Sequence, residues 1–231
     1  MIPIEEARAY VMDRCVPQAA VETNVADALG LVTAVDVTAT ESLPPFANTA
    51  MDGFAVRSAD LGTIPVQLEV VETIAAGHSP VQSVGPGQAS RIMTGAPIPD
   101  GADAIVMVEK TSIDGETVTI EAQVERGNHI RPAGDDVSKG DLVFPIGTRL
   151  TAGHLGVLCS LGLQEIQTYP RLRVGVMSTG DELVDDGGHL EPGQIRDSNR
   201  RTLLSLLSGD AFMPVDLGLI ADDEQAIEEA L

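Results

Sequence analysis

The spacing of apolar residues changes along the chain, and each change predicts a different kind of structure. Ile4, Ala7, Val11 and Cys15 recur at helical intervals, predicting a helix over 3–15 with Pro3 as its first helical residue and Glu5 and Glu6 at the positive end of its dipole. "GLVTAVDVTAT" (30–40) is rich in Val and Thr and predicts a strand. From about 65 to 124 short apolar alternations are separated by turn residues. The clearest are "VQLEVVETIAA", "DAIVMVEK" and "ETVTIEAQV", with Asp114-Gly115 as a hairpin signal. "TAGHLGVLCSLG" predicts a helix capped by Thr151 and stopped by Gly162. Past Pro170, "RLRVGVMSTG" is a continuous apolar run of the kind found in parallel strands covered on both faces. A helix over about 199–208, a strand "FMPVDLGLI" and a further helix start follow, the last with Asp222 and Gln225 spaced as a capping box.

These elements predict a multidomain chain, mainly β in its middle and α/β at its end. A parallel sheet of two strands over about 60 residues is small for an α/β domain, so the last part is expected to be incomplete.

Composition narrows the chemistry. Trp is absent and aromatics make up 3%, so the core is expected to be aliphatic. Fourteen Lys and Arg stand against 35 Asp and Glu, and a net charge of −21 repels phosphate backbones and anionic lipid heads. Nucleic acid and membrane are therefore not expected partners. The two cysteines, Cys15 and Cys159, lie in apolar helical patterns and are expected to be buried thiols. "MIPIEEARAY" has no basic region followed by an apolar one, and no apolar run reaches the roughly 20 residues of a membrane span. The expectation is a cytoplasmic protein.

Common catalytic signatures are missing. There is no GxxxxGK[ST] and no HExxH, "GPGQAS" (85–90) does not join a strand to a helix, and "GVMSTG" (175–180) lacks the spacing of a nucleophile elbow. Four loops remain: "NTAMDGFA" with Asp52, "RIMTGAPIP" with Thr94 and Gly95, "RPAGDDV" with Asp135 and Asp136, and "VMSTGDEL" (176–183). Spacing alone favours an ordinary turn at Asp52-Gly53, a strand-end turn at Thr94-Gly95 and a solvated loop at Asp135-Asp136. The last loop sits at the carboxyl end of a predicted parallel strand, where open α/β sheets bind ligands. There Ser178, Thr179 and the Gly180 backbone could cradle an anion, and Asp181 or Glu182 could hold a metal. Asp222 reads first as a helix cap, and "DSNR" (197–200) as a helix start.

In this order the loops resemble the molybdopterin molybdenumtransferase family, which comprises bacterial MoeA and its relatives, including the gephyrin E domain. The stretches that carry the resemblance are "LPPFANTAMDGFAVR", "RIMTGAPIPDGADAIVMVE", "IRPAGDDVSKGDLVFPIGTRLT", "STGDELV", "PGQIRDSNR" and "LGLIADD". It implies an elongated dimerisation subdomain I (1–57 plus 141–170, with the 30–40 strand assignable to I or II) and a β-rich subdomain II (58–140). It further implies the first half of a parallel α/β, molybdopterin-binding-like subdomain III (171–231). The implied reaction is insertion of molybdenum from molybdate into adenylated molybdopterin with release of AMP, assisted by Mg²⁺ or another divalent cation. The implied assembly is a homodimer, with a molybdopterin-adenylating protein as upstream partner.

By position the resemblance makes Asp52, Thr94, Glu182 and Asp222 catalytic, with Glu182 and Asp222 also metal ligands. Asp136, Ser178, Thr179, Gly180, Asp181, Ser198 and Asn199 are expected to bind substrate. A bare carboxylate cluster would repel two anionic substrates, so a cation that neutralises both is the expected remedy. Family members continue past this point with a glycine-rich loop and a β-barrel subdomain, so the chain alone is expected to be inactive or nearly so. Rival readings are a non-catalytic scaffold of the same family, a Mg²⁺-dependent phosphate-ester hydrolase and a pterin-adenylating enzyme.

Overall fold

The 38–143 region forms a six-stranded sheet, in the order Ala104–Met107, Gly53–Val56, Gln88–Ile92, Val66–Ile74, Thr117–Ile120, Thr111–Asp114. The structure is a computed structural model that describes residues 2–209 and 212–230. Its chain divides into two compact units, Thr38–Val143, and Met1–Val37 together with Phe144–Leu231.

In the first unit every neighbouring pair of strands is antiparallel except Val66–Ile74 with Gln88–Ile92. Alternation decides which side chains turn inward. Phe54 and Val56 join Leu68, Val106 and Ile120 in one apolar cluster, and Ala55 joins Ile74, Ile92 and Ile105 in another. A strand buried on both faces requires the sheet to curl around it. The hairpin predicted at Asp114-Gly115 forms one residue later: Asp114 pairs with Thr117, so Gly115 and Glu116 make the turn, with Gly115 at φ 61°.

Ser90 is the exception in this apolar packing. It pairs with Ala55, is fully buried, and its hydroxyl has no hydrogen-bond partner. A buried hydroxyl without a partner opposes folding, so Ser90→Ala is expected to raise stability by about 1 kcal/mol in a denaturant titration. A loss of stability would mean that the hydroxyl has an unrecognised partner.

The second unit opens with a helix, Ile4–Met12, shorter than predicted and with Pro3 as its cap instead of its first helical residue. Its apolar stripe is not buried: Ile4 is 78% and Val11 58% exposed. The expected burial of the thiols is overturned as well, since Cys15 and Cys159 are both exposed. Helical spacing reports which residues share a face, and not that the face is covered. The strand predicted over 30–40 is two short ones, Val32–Thr33 and Val37–Thr38, separated by a bend whose Asp36 carboxylate accepts the Ile146 N–H at 2.7 Å. Val21–Asn24, Glu165–Tyr169 and Val32–Thr33 form a three-stranded antiparallel sheet. The helix Ala152–Ser160 forms as expected, with Thr151 as cap and Gly162 in the left-handed region at φ 71°.

Leu172–Thr179 and Phe212–Ile220 then pair in parallel, and the helix Asn199–Leu207 packs on both. The pairing slips by one residue at Leu217, a bulge that Gly218 accommodates at φ 85°. A second parallel pair, Leu183–Val184 with Ile195–Arg196, closes the loop between strand and helix. In the final helix, Glu224–Ala230, the cap is Asp223 and not Asp222: Ala226 N–H donates to Asp223 Oδ1 at 3.0 Å. Leu231, the last position of that predicted segment, lies outside the described residues. No helix of the described residues is long and apolar enough to cross a membrane.

Candidate functional site

In the first unit the site is built on a braced loop. Thr49 is buried, donates its hydroxyl to the Met51 carbonyl at 2.6 Å and accepts the Met51 N–H at 3.1 Å. Its carbonyl accepts the Gly95 N–H at 2.9 Å, which joins the loop to the turn after the Gln88–Ile92 strand. That turn closes from Ala96 N–H to the Met93 carbonyl, with Gly95 at φ 83°, so the predicted strand-end turn is present.

Asp52-Gly53 is not a hairpin turn. Gly53 is the first residue of a central strand, paired with Met107 on one side and Ile92 on the other. This register lays Asp52 beside the Met93–Ala96 turn, where Asp52 Oδ1 accepts both the Thr94 N–H at 2.7 Å and the Thr94 hydroxyl at 2.8 Å. The Thr94 N–H, then its hydroxyl, hold the Asp52 carboxyl below the usual carboxylate range against a smaller effect of burial, and the Arg91 charge adds to the lowering. Asp52 is thus an ionised, exposed acceptor. Thr94 has committed its proton to Asp52 and offers only lone pairs. Such a pair can orient an O–H group or a water; it cannot hold an oxyanion directly.

Asp136 lies in a different network. Arg131 donates to its Oδ2 at 2.7 Å and approaches Asp135 at 3.8 Å. Arg131 itself is anchored opposite Asn48 in a short antiparallel ladder.

In the second unit Thr179 pairs with Ile220, so the loops that follow, 180–182 and 221–223, leave side by side at the carboxyl ends of two parallel strands. A turn from Leu183 N–H to the Gly180 carbonyl shapes the first loop. Gly180 has φ 148°, and a Cβ there would lie 2.7 Å from Glu182 Oε2, so the Glu182 carboxylate folds back over a position only glycine suits. Asp181, Glu182 and Asp222 are exposed, and Asp222 is released from the capping role that Asp223 fills. No group of three or more potential metal ligands occurs among the described residues. Ser198 is the cap residue of the Asn199–Leu207 helix, and its carbonyl accepts from Thr202; Ser198 and Asn199 are both exposed.

What sequence reasoning missed lies beneath this loop. Arg200 is 2% exposed, and its guanidinium meets three carboxylates. Nε donates to Asp197 Oδ2 at 2.9 Å, and the two terminal nitrogens reach Asp216 and Asp185. The Asp216 contact, then that of Asp197, pushes the arginine's pKa up against the opposing effect of burial. Asp197 Oδ1 also accepts the Ser178 hydroxyl at 2.9 Å and the Arg200 N–H at 3.1 Å. Two features of the sequence signal this hub. An aspartate interrupts the apolar strand "FMPVDLGLI", and two arginines stand in the first turn of a helix, where the dipole disfavours cations.

Comparison with known proteins matches residues 2–162 to the MoeA N-terminal region (domain I and II) and residues 175–231 to a probable molybdopterin binding domain. A molybdopterin molybdenumtransferase of Haemophilus influenzae is 39% identical over 233 residues, covering all of this chain and 57% of that protein. Molybdopterin molybdenumtransferase 2 of Mycobacterium tuberculosis is 42% identical over 219 residues, covering 93% of this chain and 53% of its own length. The crystal structure of a molybdopterin biosynthesis MoeA protein from Pyrococcus horikoshii superposes with a TM-score of 0.89 at 29% identity, over all of this chain and 62% of that one. The chain therefore spans about half the length of the curated relatives it matches.

Proposed function

The chain belongs to the MoeA family, and on that premise we propose that its loops serve the insertion of molybdenum from molybdate into adenylated molybdopterin with release of AMP. The observation that carries this reading is the Asp52–Thr94 pair, in which one carboxylate oxygen is fixed by two hydrogen bonds on an exposed surface. A water oxygen bonds to one phosphorus of the phosphoanhydride as the bridging P–O bond breaks, AMP leaves, and the water's proton passes to solvent. Asp52 accepts a hydrogen bond from that oxygen and orients it, while Thr94 keeps Asp52 ionised and pointed.

In the second unit the Thr179 hydroxyl and the backbone around Gly180 bind the anionic substrate, and Ser198 and Asn199 border it at the helix start. Asp136, held by Arg131, is a further proposed substrate contact. Glu182 and Asp222 suit a Mg²⁺ ion. Mg²⁺ is commonly held by one or two carboxylates together with substrate phosphates, and these two carboxylates stand in the loops after neighbouring strand ends. Bound there, Mg²⁺ would neutralise carboxylate and phosphate charge together. We further propose the three-part division of the chain into 1–57 with 141–170, 58–140 and 171–231. A homodimer, a cytoplasmic location and supply of substrate by a molybdopterin-adenylating protein complete the reading.

The test is a chimera in which this chain replaces the matching half of the Haemophilus influenzae relative. Molybdate-dependent AMP release is expected, and Asp52→Asn is expected to slow it about 100-fold or more with the thermal midpoint nearly unchanged. The amide oxygen of asparagine can still accept both Thr94 bonds, so the fold is spared while the charge is lost. Full activity in the variant, or a large fall in stability instead, would return Asp52 to a structural role.

A further inference from the structure

We infer that Ser178 is not a substrate ligand but the outer end of a positioning chain, Ser178–Asp197–Arg200, that sets the shape of the 178–182 loop. The inference rests on the functional reading above and revises the substrate contact that the sequence led us to expect at Ser178.

A serine hydroxyl has one proton to give, and the Ser178 proton is given to Asp197 Oδ1 at 2.9 Å. What remains on Ser178 is lone pairs, which repel a phosphate or a molybdate. Donation to an anion in this loop therefore falls to the Thr179 hydroxyl and to backbone N–H groups. The acceptor that Ser178 has chosen is itself fixed. The Asp197 side chain is 1% exposed, and its other oxygen is held at 2.9 Å by Arg200.

Arg200 in turn joins three further segments of the same unit. It lies in the first turn of the Asn199–Leu207 helix, reaches Asp216 beside the bulge of the second parallel strand, and reaches Asp185 just after the short strand that leaves the Glu182 turn. Asp216 is oriented as well, accepting the Gly218 N–H at 2.9 Å. One planar guanidinium with donors in fixed directions thus sets the relative placement of both parallel strands, the helix and the loop exit. Ser178, the next-to-last residue of the first strand, carries that placement to Thr179, Gly180 and Glu182. Asp197 is too deeply buried to touch substrate, so it acts through Ser178 as a positioning residue.

The test is a double-mutant cycle in the chimera described above, read as affinity for adenylated molybdopterin. Ser178→Ala removes the donor. Asp197→Asn keeps the shape of the acceptor and removes its charge. Each single substitution is expected to weaken binding about tenfold, and the double variant no more than the worse single one, because both break the same link. Thermal midpoints are measured alongside, and Ser178→Thr, which keeps the hydroxyl, is expected to restore affinity to the unaltered level. Additive losses, an unchanged affinity in Ser178→Ala, or failure of the threonine to rescue would overturn the inference and leave the functional reading standing. If the chimera with the unaltered chain does not bind adenylated molybdopterin, the functional reading fails and takes the positioning role with it.

Discussion

Gly53→Ala is expected to disrupt the sheet of the 38–143 unit and, with it, the placement of Asp52. A Cβ at this position would stand 2.1 Å from the Val106 carbonyl oxygen and 2.9 Å from its carbon. These are backbone atoms of the neighbouring strand, held in register by the Gly53–Met107 and Phe54–Val106 pairs, so they cannot swing aside as a side chain would. The strand cannot shift the other way either, because Gly53 pairs with Ile92 on its far edge. Relief requires opening a ladder in the middle of the sheet, at an expected cost of about 3 kcal/mol. Amide hydrogen exchange is the measurement: protection in 53–56, 88–92 and 104–107 should fall sharply, and the Asp52–Thr94 bonds should go with it. Native protection in those strands would show that the sheet yields more readily than its register implies. The glycine of "MDG" is thus explained by the closeness of another backbone, and not by a turn.

Much of the fold was legible because burial imposes a period. Thr117–Ile120 alternates half-buried and buried positions as its sequence does, and the strands predicted past Pro170 form a parallel pair, though the expected cover on both faces is absent: Val176 is the only buried residue described in the two. The misreadings share a cause: a local pattern states which residues share a face, and not what that face meets. The 4–12 helix carries its stripe but has no buried residue, and Cys159 shares a helix with buried Leu158 yet remains exposed. Capping failed by one position, since Asp222 and Asp223 both offer the needed oxygen and only the chain's path decides between them. Within the site, the separate loops were legible as strings. The Asp52–Thr94 bond spans 42 residues and depends on strand register, which no short stretch encodes. The same holds for the carboxylates of Arg200, which lie 3, 15 and 16 residues away from it.

Arg200→Met should have the largest effect on the second unit. Methionine fills most of the volume but removes the cation on which three carboxylates converge, leaving, among the described residues, only the exposed Arg201, 3.4 Å from Asp185. Asp185 and Asp216, with side chains 33% and 40% exposed, can turn toward water. Asp197, at 1%, cannot. Breaking a buried ion pair from one side costs about 3 kcal/mol or more, so amide protection in 172–179 and 212–220 should collapse while that in 53–56 persists. The pH dependence should also weaken. In the unaltered chain burial opposes the charge on Asp197, but the bonds from Arg200 and Ser178 outweigh it and hold its carboxyl below the ordinary range; Asp216 is lowered chiefly by Arg200. A group whose pKa is lower folded than unfolded stabilises the fold above its unfolded value and loses that contribution as the pH falls through the folded one. Acid below the ordinary carboxylate range should therefore weaken these strands in the unaltered chain. Without the guanidinium, only the N–H of residue 200 and the Ser178 hydroxyl still lower Asp197 against burial, so its pKa rises and the weakening by acid should shrink. Asp197→Asn in the Arg200→Met background removes the stranded charge and should recover much of the lost protection at neutral pH. If acid weakens both proteins alike, or if the second substitution recovers nothing, the hub does not hold these strands in the way its geometry indicates.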